Sequence, residues 1–130
     1  MLRRCPIPRS GSARSALAEA VHNLALRLSD VGRRAEALSA MHEAVAIYRE
    51  LAAERPATFR SDLASALTNL SIRLAAMSQP EDALAAAKES TRIYRSLAAA
   101  RPDRFESAFA MSLNNLASLR AEVRRPHSAR

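Results

Sequence analysis

The chain has 130 residues, of which 48% are apolar, and it carries a formal net charge of +7. This length supports one domain with a modest core, and the apolar content excludes a chain that is disordered throughout. Only two glycines, no tryptophan and an abundance of alanine, leucine, arginine and glutamate favour helices over strands, so we expect an all-α protein.

The excess positive charge belongs to the two ends of the chain. Residues 1–14 carry four arginines and no acid, and residues 120–130 have a net charge of +3. Residues 15–119 balance twelve basic against twelve acidic side chains. A nucleic-acid binder should carry its basic residues on the folded part of the chain. We therefore interpret the ends as solvated basic tails and expect no nucleic-acid partner.

Features that would place the chain outside the cytoplasm are missing. Cys5 is the single cysteine, which excludes an intramolecular disulfide and suits a reducing compartment. The basic N-terminus lacks the apolar segment that a secretory signal needs. No apolar run approaches the roughly 20 residues that a membrane-spanning helix requires. We expect a cytoplasmic protein with no membrane partner.

The body of the chain repeats at an interval of 46 residues, and each full unit has the apolar periodicity of two amphipathic helices. Residues that recur at this interval include Asn23, Asn69 and Asn115, and also Leu24, Leu70 and Leu116. In chain order the predicted helices span residues 15–31, 34–54, 62–77, 80–100 and 107–123. Ser61 or Asp62 is the expected N-cap of the third helix.

This pattern predicts two and a half 46-residue units, or five helices. The corresponding domain organisation is a flexible basic tail at 1–14, a helical repeat domain at 15–123 and a second basic tail at 124–130.

Within each unit the residues resemble the tetratricopeptide repeat, whose pattern is W-x2-L-G-x2-Y followed by A-x3-F. The first unit contains Val21-x2-Leu24-Ala25-x2-Leu28 and then Ala37-x3-Met41. The interval of 46 exceeds the usual period of about 34 residues. The stretch "LNNLA" at 113–117 is similar to the long-repeat branch that includes the kinesin light chains and to repeat arrays of filamentous soil bacteria. The resemblance implies a right-handed α-solenoid, of a bacterial type, that binds protein or peptide in a concave groove.

The recurring asparagine is not a core residue. Asn69 points roughly 145° away from the apolar stripe of its own helix. In this family the first helices of successive units line the groove, so the three asparagines would project into it or beside it. Amide side chains there suit contact with the backbone of a bound peptide. The expected groove residues are Asn23, Asn69, Asn115, His22, Thr68, Asn114, Leu26 and Ile72.

Two alternatives to this assignment stay open. The asparagines can instead form structural hydrogen bonds to an adjacent helix, and both roles can occur in one array. Leu26 and Ile72 can pack against the neighbouring unit rather than face a peptide.

No pattern in the sequence predicts catalysis. The chain lacks a glycine-rich phosphate loop, and His22, His42 and His127 are scattered without metal-ligand spacing. No candidate nucleophile has a base at a recognisable spacing. We expect no catalytic residue, no metal and no cofactor, and we interpret the chain as a non-catalytic scaffold or regulatory module.

The last predicted helix supports an alternative function. It carries Phe109, Leu113, Leu116 and Leu119 but has no second helix to cover them. A repeat array buries its apolar faces unit against unit, so an uncovered face favours association. The alternative is therefore a fragment of a larger repeat protein that forms homodimers through its C-terminal helix and has no ligand of its own. A partner protein covering this face is the remaining option.

Overall fold

The computed structural model describes residues 11–125, which form five α-helices and no strand. Each helix packs against the next one in chain order, which confirms an all-α solenoid of helical repeats. The bounds are α1 Gly11–Asp30, α2 Arg34–Glu54, α3 Pro56–Ala76, α4 Pro80–Ala100 and α5 Pro102–Arg124. Of the predicted tails at 1–14 and 124–130, residues 1–10 and 126–130 lie outside the described residues, while residues 11–14 belong to α1 and Arg124 ends α5.

The second helix of each unit has the predicted bounds, whereas the first helices begin earlier than predicted. A single residue, Arg55, separates α2 from α3, and its backbone is non-helical with φ −138° and ψ 76°. Arg101 has nearly the same geometry between α4 and α5, with φ −140° and ψ 77°. A residue before proline is driven out of the helical region, while proline itself suits the first helical position. Each proline therefore ends one helix and begins the next.

The predicted N-cap of α3 was wrong for this reason. The helix starts at Pro56, so Ser61 and Asp62 lie inside α3 rather than at its end. Helix α1 likewise begins at Gly11, before the predicted start at residue 15. Arg14, which the prediction assigned to the tail, is buried in α1 and pairs with Glu50 and Glu54 of α2.

The turn inside each full unit is built in the same way in both repeats. After α1, Gly32 adopts φ +83°, and the Arg33 amide donates to the Leu28 carbonyl at 2.9 Å. After α3, Ser78 adopts φ +60°, and the Gln79 amide donates to the Leu74 carbonyl at 2.9 Å. This left-handed closure satisfies the free carbonyls at the helix end and lets the second helix turn back along the first.

Alanine allows the helices to pack closely. Ala25, Ala37 and Ala83 are fully buried. Larger side chains fill the space between these contacts, and Met41 and Leu67 are almost completely excluded from solvent. The core is therefore a continuous layer between successive helices rather than one central cluster.

Candidate functional site

Two side-chain hydrogen bonds join the first helices of successive repeats. The Asn69 Nδ2 on α3 donates to the His22 Nε2 on α1 at 3.1 Å. The Asn115 Nδ2 on α5 donates to the Ser71 Oγ on α3 at 2.8 Å. Helices α1, α3 and α5 therefore lie side by side, and we call the surface that they form the first-helix face. Asn69 and Asn115 thus form the structural hydrogen bonds to another helix that the sequence left open as an alternative to peptide contact.

These hydrogen bonds use only the nitrogen end of each amide. The Asn69 Nδ2 also donates to the Ser65 carbonyl at 3.3 Å, so both of its N–H groups are occupied. Within residues 11–125, neither the Asn69 Oδ1 nor the Asn115 Oδ1 accepts a hydrogen bond. Each of these half-buried amides keeps an acceptor that another molecule can use.

The hydrogen bond to Asn69 also defines the protonation state of His22. An amide nitrogen can only donate, so the His22 Nε2 must accept, and the ring proton then sits on Nδ1. Burial lowers the pKa of His22, and the nearby charge of Asp62 opposes this in part. The neutral imidazole lies edge-on to Tyr48 of α2, with ring centroids 6.5 Å apart and planes at 75°.

A hollow of about 530 Å³ opens between α3 and α5 beside the start of α4, and we call it the α3–α5 hollow. Its size falls within the range of ligand-binding clefts, about 300–1,000 Å³. Ile72, which is 40% exposed, supplies an apolar wall, and Glu81 and Glu122 supply negative charge. The lining residues are Ile72, Ala75, Ser78, Pro80, Glu81, Asn115, Ser118, Leu119 and Glu122.

A smaller hollow of about 170 Å³ lies where α1, α2 and α3 meet, and we call it the α1–α3 hollow. Its lining residues are Glu19, His22, Asn23, Tyr48, Asp62 and Ser65. Burial, followed by the charges of Asp62 and Glu19, raises the pKa of Tyr48 to about 12. Burial and the charge of Glu19 also raise the pKa of Asp62. The hollow therefore combines a neutral phenol with two neighbouring carboxyl groups.

The remaining predicted groove residues have different surroundings. Asn23 is exposed and lines the α1–α3 hollow, and Asn114 is exposed on α5. Leu26 is half-buried and packs against the core. Thr68 faces α4 within its own repeat, because its hydroxyl lies 2.5 Å from the Ser90 Oγ. The structure therefore groups Asn23 with His22 and groups Ile72 with Asn115, while Thr68 belongs to the interior of the repeat.

The terminal helix exposes less apolar surface than its sequence predicts. Leu116 and Leu119 are only 6% and 5% exposed and belong to the buried cluster of the array. Phe109 is half-buried, and the Arg95 guanidinium carbon lies 5.4 Å from its ring centroid. Of the four predicted association residues, Leu113 is the one classed as exposed, at 38%.

In the α1–α3 hollow, sequence reasoning missed Glu19, Tyr48, Asp62 and Ser65 as site residues. The available signal for the two acids was a departure from the repeat, since Glu19 becomes Ser65 and Asp62 becomes Ala108 in the next unit. Comparing the units for differences, rather than for matches, would have pointed to these positions.

Two further kinds of feature are absent from the described part of the chain. Residues 11–125 contain no group of three or more histidine, cysteine or acidic side chains arranged to hold a metal ion. None of the helices in this range combines the length and apolar character needed to cross a membrane.

Comparison with known protein families agrees with the observed architecture. Residues 17–54 and 63–100, more than half of the chain, match a family model described as tetratricopeptide repeat. The two matched segments run from the first helix of a unit to the end of its second helix. Neither the curated proteins nor the solved structures give a significant match.

Proposed function

Because the chain belongs to the tetratricopeptide repeat family, we propose that it is a scaffold or regulatory module that binds a protein or peptide on its first-helix face. Repeats of this family generally mediate protein–protein interactions. The proposal adds a location and a mode of contact to that general role.

The observation that carries the proposal is the α3–α5 hollow. It places an exposed aliphatic side chain, Ile72, next to an amide whose oxygen has no partner in the described chain, Asn115. An apolar wall can take a side chain of an extended peptide, and an amide oxygen can accept a backbone N–H. Asn69 offers a second acceptor on the same face. Together these groups would hold a main chain with limited dependence on its sequence.

The proposed role requires no chemistry from the protein itself. The repeat family is a non-catalytic kind of scaffold, and the polar groups of the first-helix face are amides, hydroxyls, carboxyls and the His22 imidazole, all suited to hydrogen bonding. We therefore propose binding without catalysis and without a cofactor.

A peptide selection with two matched variants tests the proposal. A library of random twelve-residue peptides would be selected on the immobilised chain, and the affinities of the selected peptides measured by fluorescence anisotropy. Ile72→Glu should weaken binding at least tenfold, because it puts a charge into the apolar wall. Val31→Glu charges an aliphatic side chain that is 70% exposed and lines neither hollow, so it should leave the affinity unchanged. Failure to select any peptide, or equal effects of the two variants, would reject the first-helix face as a peptide site.

A further inference from the structure

We propose that the α1–α3 hollow is a pocket for a basic side chain, arginine or lysine, of the bound polypeptide. The proposal rests on the proposed function and adds the chemistry of the partner to it. Three observations carry it: two unpaired acids, the hydroxyl of a buried tyrosine that has no partner in the described chain, and the loss of both acids at the positions 46 residues further on.

The two acids of the hollow have no cationic partner within residues 11–125. Glu19 and Asp62 take part in none of the ion pairs that the described chain forms. The positive charge of Arg104 reaches Asp62, but the Arg104 guanidinium carbon lies 5.1 Å from the ring centroid of Phe105 and makes no ion pair. Of the residues that the structure describes, none forms an ion pair with either carboxylate, so a cation entering the hollow would find both available.

The hydroxyl is that of Tyr48, a residue that is only 5% exposed. The hydroxyl makes no side-chain hydrogen bond within the described chain, and it is not sealed in the interior, because the residue lines the hollow. A tyrosine hydroxyl at the edge of an apolar interior usually finds a hydrogen-bond partner. Tyr48 lines the hollow together with the two acids. An N–H group of an ammonium or guanidinium ion there could donate to the phenol oxygen and to a carboxylate.

The fold does not require the two acids, which lie on the first helices of successive units. The equivalent positions 46 residues further on keep the tyrosine, as Tyr94, but have Ser65 and Ala108 in place of the two acids. Both repeats fold in the same way, so the helices do not need Glu19 and Asp62. Asp62 lies inside α3, so capping of the helix does not explain it. Burial and the charge of Glu19 raise the pKa of Asp62, and a cation bound beside it would lower that pKa again.

The dimensions of the hollow fit the head group of a long basic side chain. A cavity needs about 10–15 Å³ to hold one water molecule. The hollow, at about 170 Å³, therefore has room for several heavy atoms. Guanidinium has five N–H donors, enough to reach both carboxylates, the phenol and the side-chain oxygen of Asn23 at once.

The test uses small probes, so that its outcome does not depend on finding a natural partner. The ¹⁵N-labelled chain would be titrated with N-acetyl-arginine amide, and separately with N-acetyl-citrulline amide, a neutral probe of nearly equal shape. The arginine probe should cause saturable shifts at residues of the α1–α3 hollow, and the citrulline probe should bind at least tenfold more weakly. N-acetyl-lysine amide separates a guanidinium site from a general cation site, and tight binding of either cation supports the pocket.

Three variants make the result specific. Glu19→Gln with Asp62→Asn should weaken the arginine probe at least tenfold, and Tyr48→Phe should weaken it about threefold to tenfold. The matched control, Glu43→Gln with Glu106→Gln, removes the same charge from exposed positions outside both hollows and should leave the affinity unchanged. Thermal melting of each variant checks that the fold is intact.

The proposal is overturned if citrulline and arginine probes bind equally, if no saturable shift occurs, or if the control variant weakens binding as much as the acid pair. Its failure is distinct from that of the proposed function. Peptides that bind in an Ile72-dependent way while the arginine probe does not bind would leave peptide binding in place and remove only the basic pocket.

Discussion

Ser78 occupies a turn position that glycine fills in the preceding repeat, and replacing it with glycine should stabilise the protein. Its φ of +60° lies in the left-handed region, like the +83° of Gly32 in the first repeat. The hydrogen bonds of the two turns match, because the amides of Gly32 and Ser78 each donate at 3.0 Å to the carbonyl three residues earlier. The Ser78→Gly variant should therefore keep the turn and relieve its backbone strain.

The size of the effect follows from two opposing contributions. A non-glycine residue in the left-handed region costs about 1–2 kcal/mol. Glycine offsets about 0.4–1 kcal/mol of this gain in stability, because it makes the unfolded chain more flexible and so raises its conformational entropy. The Ser78→Gly variant should thus raise the free energy of unfolding by about 0.5–1 kcal/mol, or the melting temperature by about 2–5 °C in a domain of this size.

Urea and thermal unfolding followed by circular dichroism at 222 nm would measure this change. Ser78→Ala is the matched control, because alanine keeps the strained backbone and the serine hydroxyl makes no hydrogen bond within the described chain; its stability should change by only a few tenths of a kcal/mol. Gly32→Ala should lower stability by about 1 kcal/mol through backbone strain alone, since a Cβ there would meet nothing within 4 Å. A Ser78→Gly variant that is less stable than the wild type would refute the reasoning.

Three further predictions concern the first-helix face and the last helix. The folded protein holds the pKa of His22 below its ordinary value of 6.5, so the unfolded chain takes up the proton first and stability should fall as the pH drops below about 6.5. His22→Gln should remove this dependence in pH-dependent melting, whereas His42→Gln, at an exposed position, should retain it. Asn115→Ala and Ser71→Ala should each cost about 0.5–1.5 kcal/mol and be less than additive in a double-mutant cycle, because they share one hydrogen bond. Leu113→Glu should leave the sedimentation coefficient unchanged, because α4 already covers much of the apolar face of α5; conversion of a dimer to a monomer would instead support self-association.

The repeat interval predicts the number of helices and the bounds of α2 and α4, but it does not predict which apolar residues are covered. Leu24 and Leu70 hold the same place in their units, yet they are 52% and 6% exposed. Helix α2 packs against α3, whereas within residues 11–125 no helix precedes α1. Burial thus depends on whether a neighbouring helix is present, and the residue pattern of a single unit does not contain that information.

The two hollows could be predicted only in part. Ile72 and Asn115 were identified from the resemblance, because their positions on first helices follow from the register. The α1–α3 hollow depends on side chains from three helices, including Tyr48 of α2, which the pattern assigned to the core. The two acids of this hollow were not predicted as site residues either. Asp62 was interpreted as a possible helix cap, because the sequence pattern placed the start of α3 too late. Long-range packing, rather than local propensity, brings these groups together.

The one-residue joints at Arg55 and Arg101 have a mechanical consequence. A longer loop could adjust its backbone to an added residue or to a small rotation of its flanking helices. A single residue before proline can hardly adjust, because the proline restricts its backbone dihedral angles. An inserted glycine should therefore be tolerated after Gly32 or Ser78 and be disruptive beside either arginine. Force or strain applied to one repeat should pass directly to the next, so the array should respond to an occupant as a stiff rod rather than as a string of independent units.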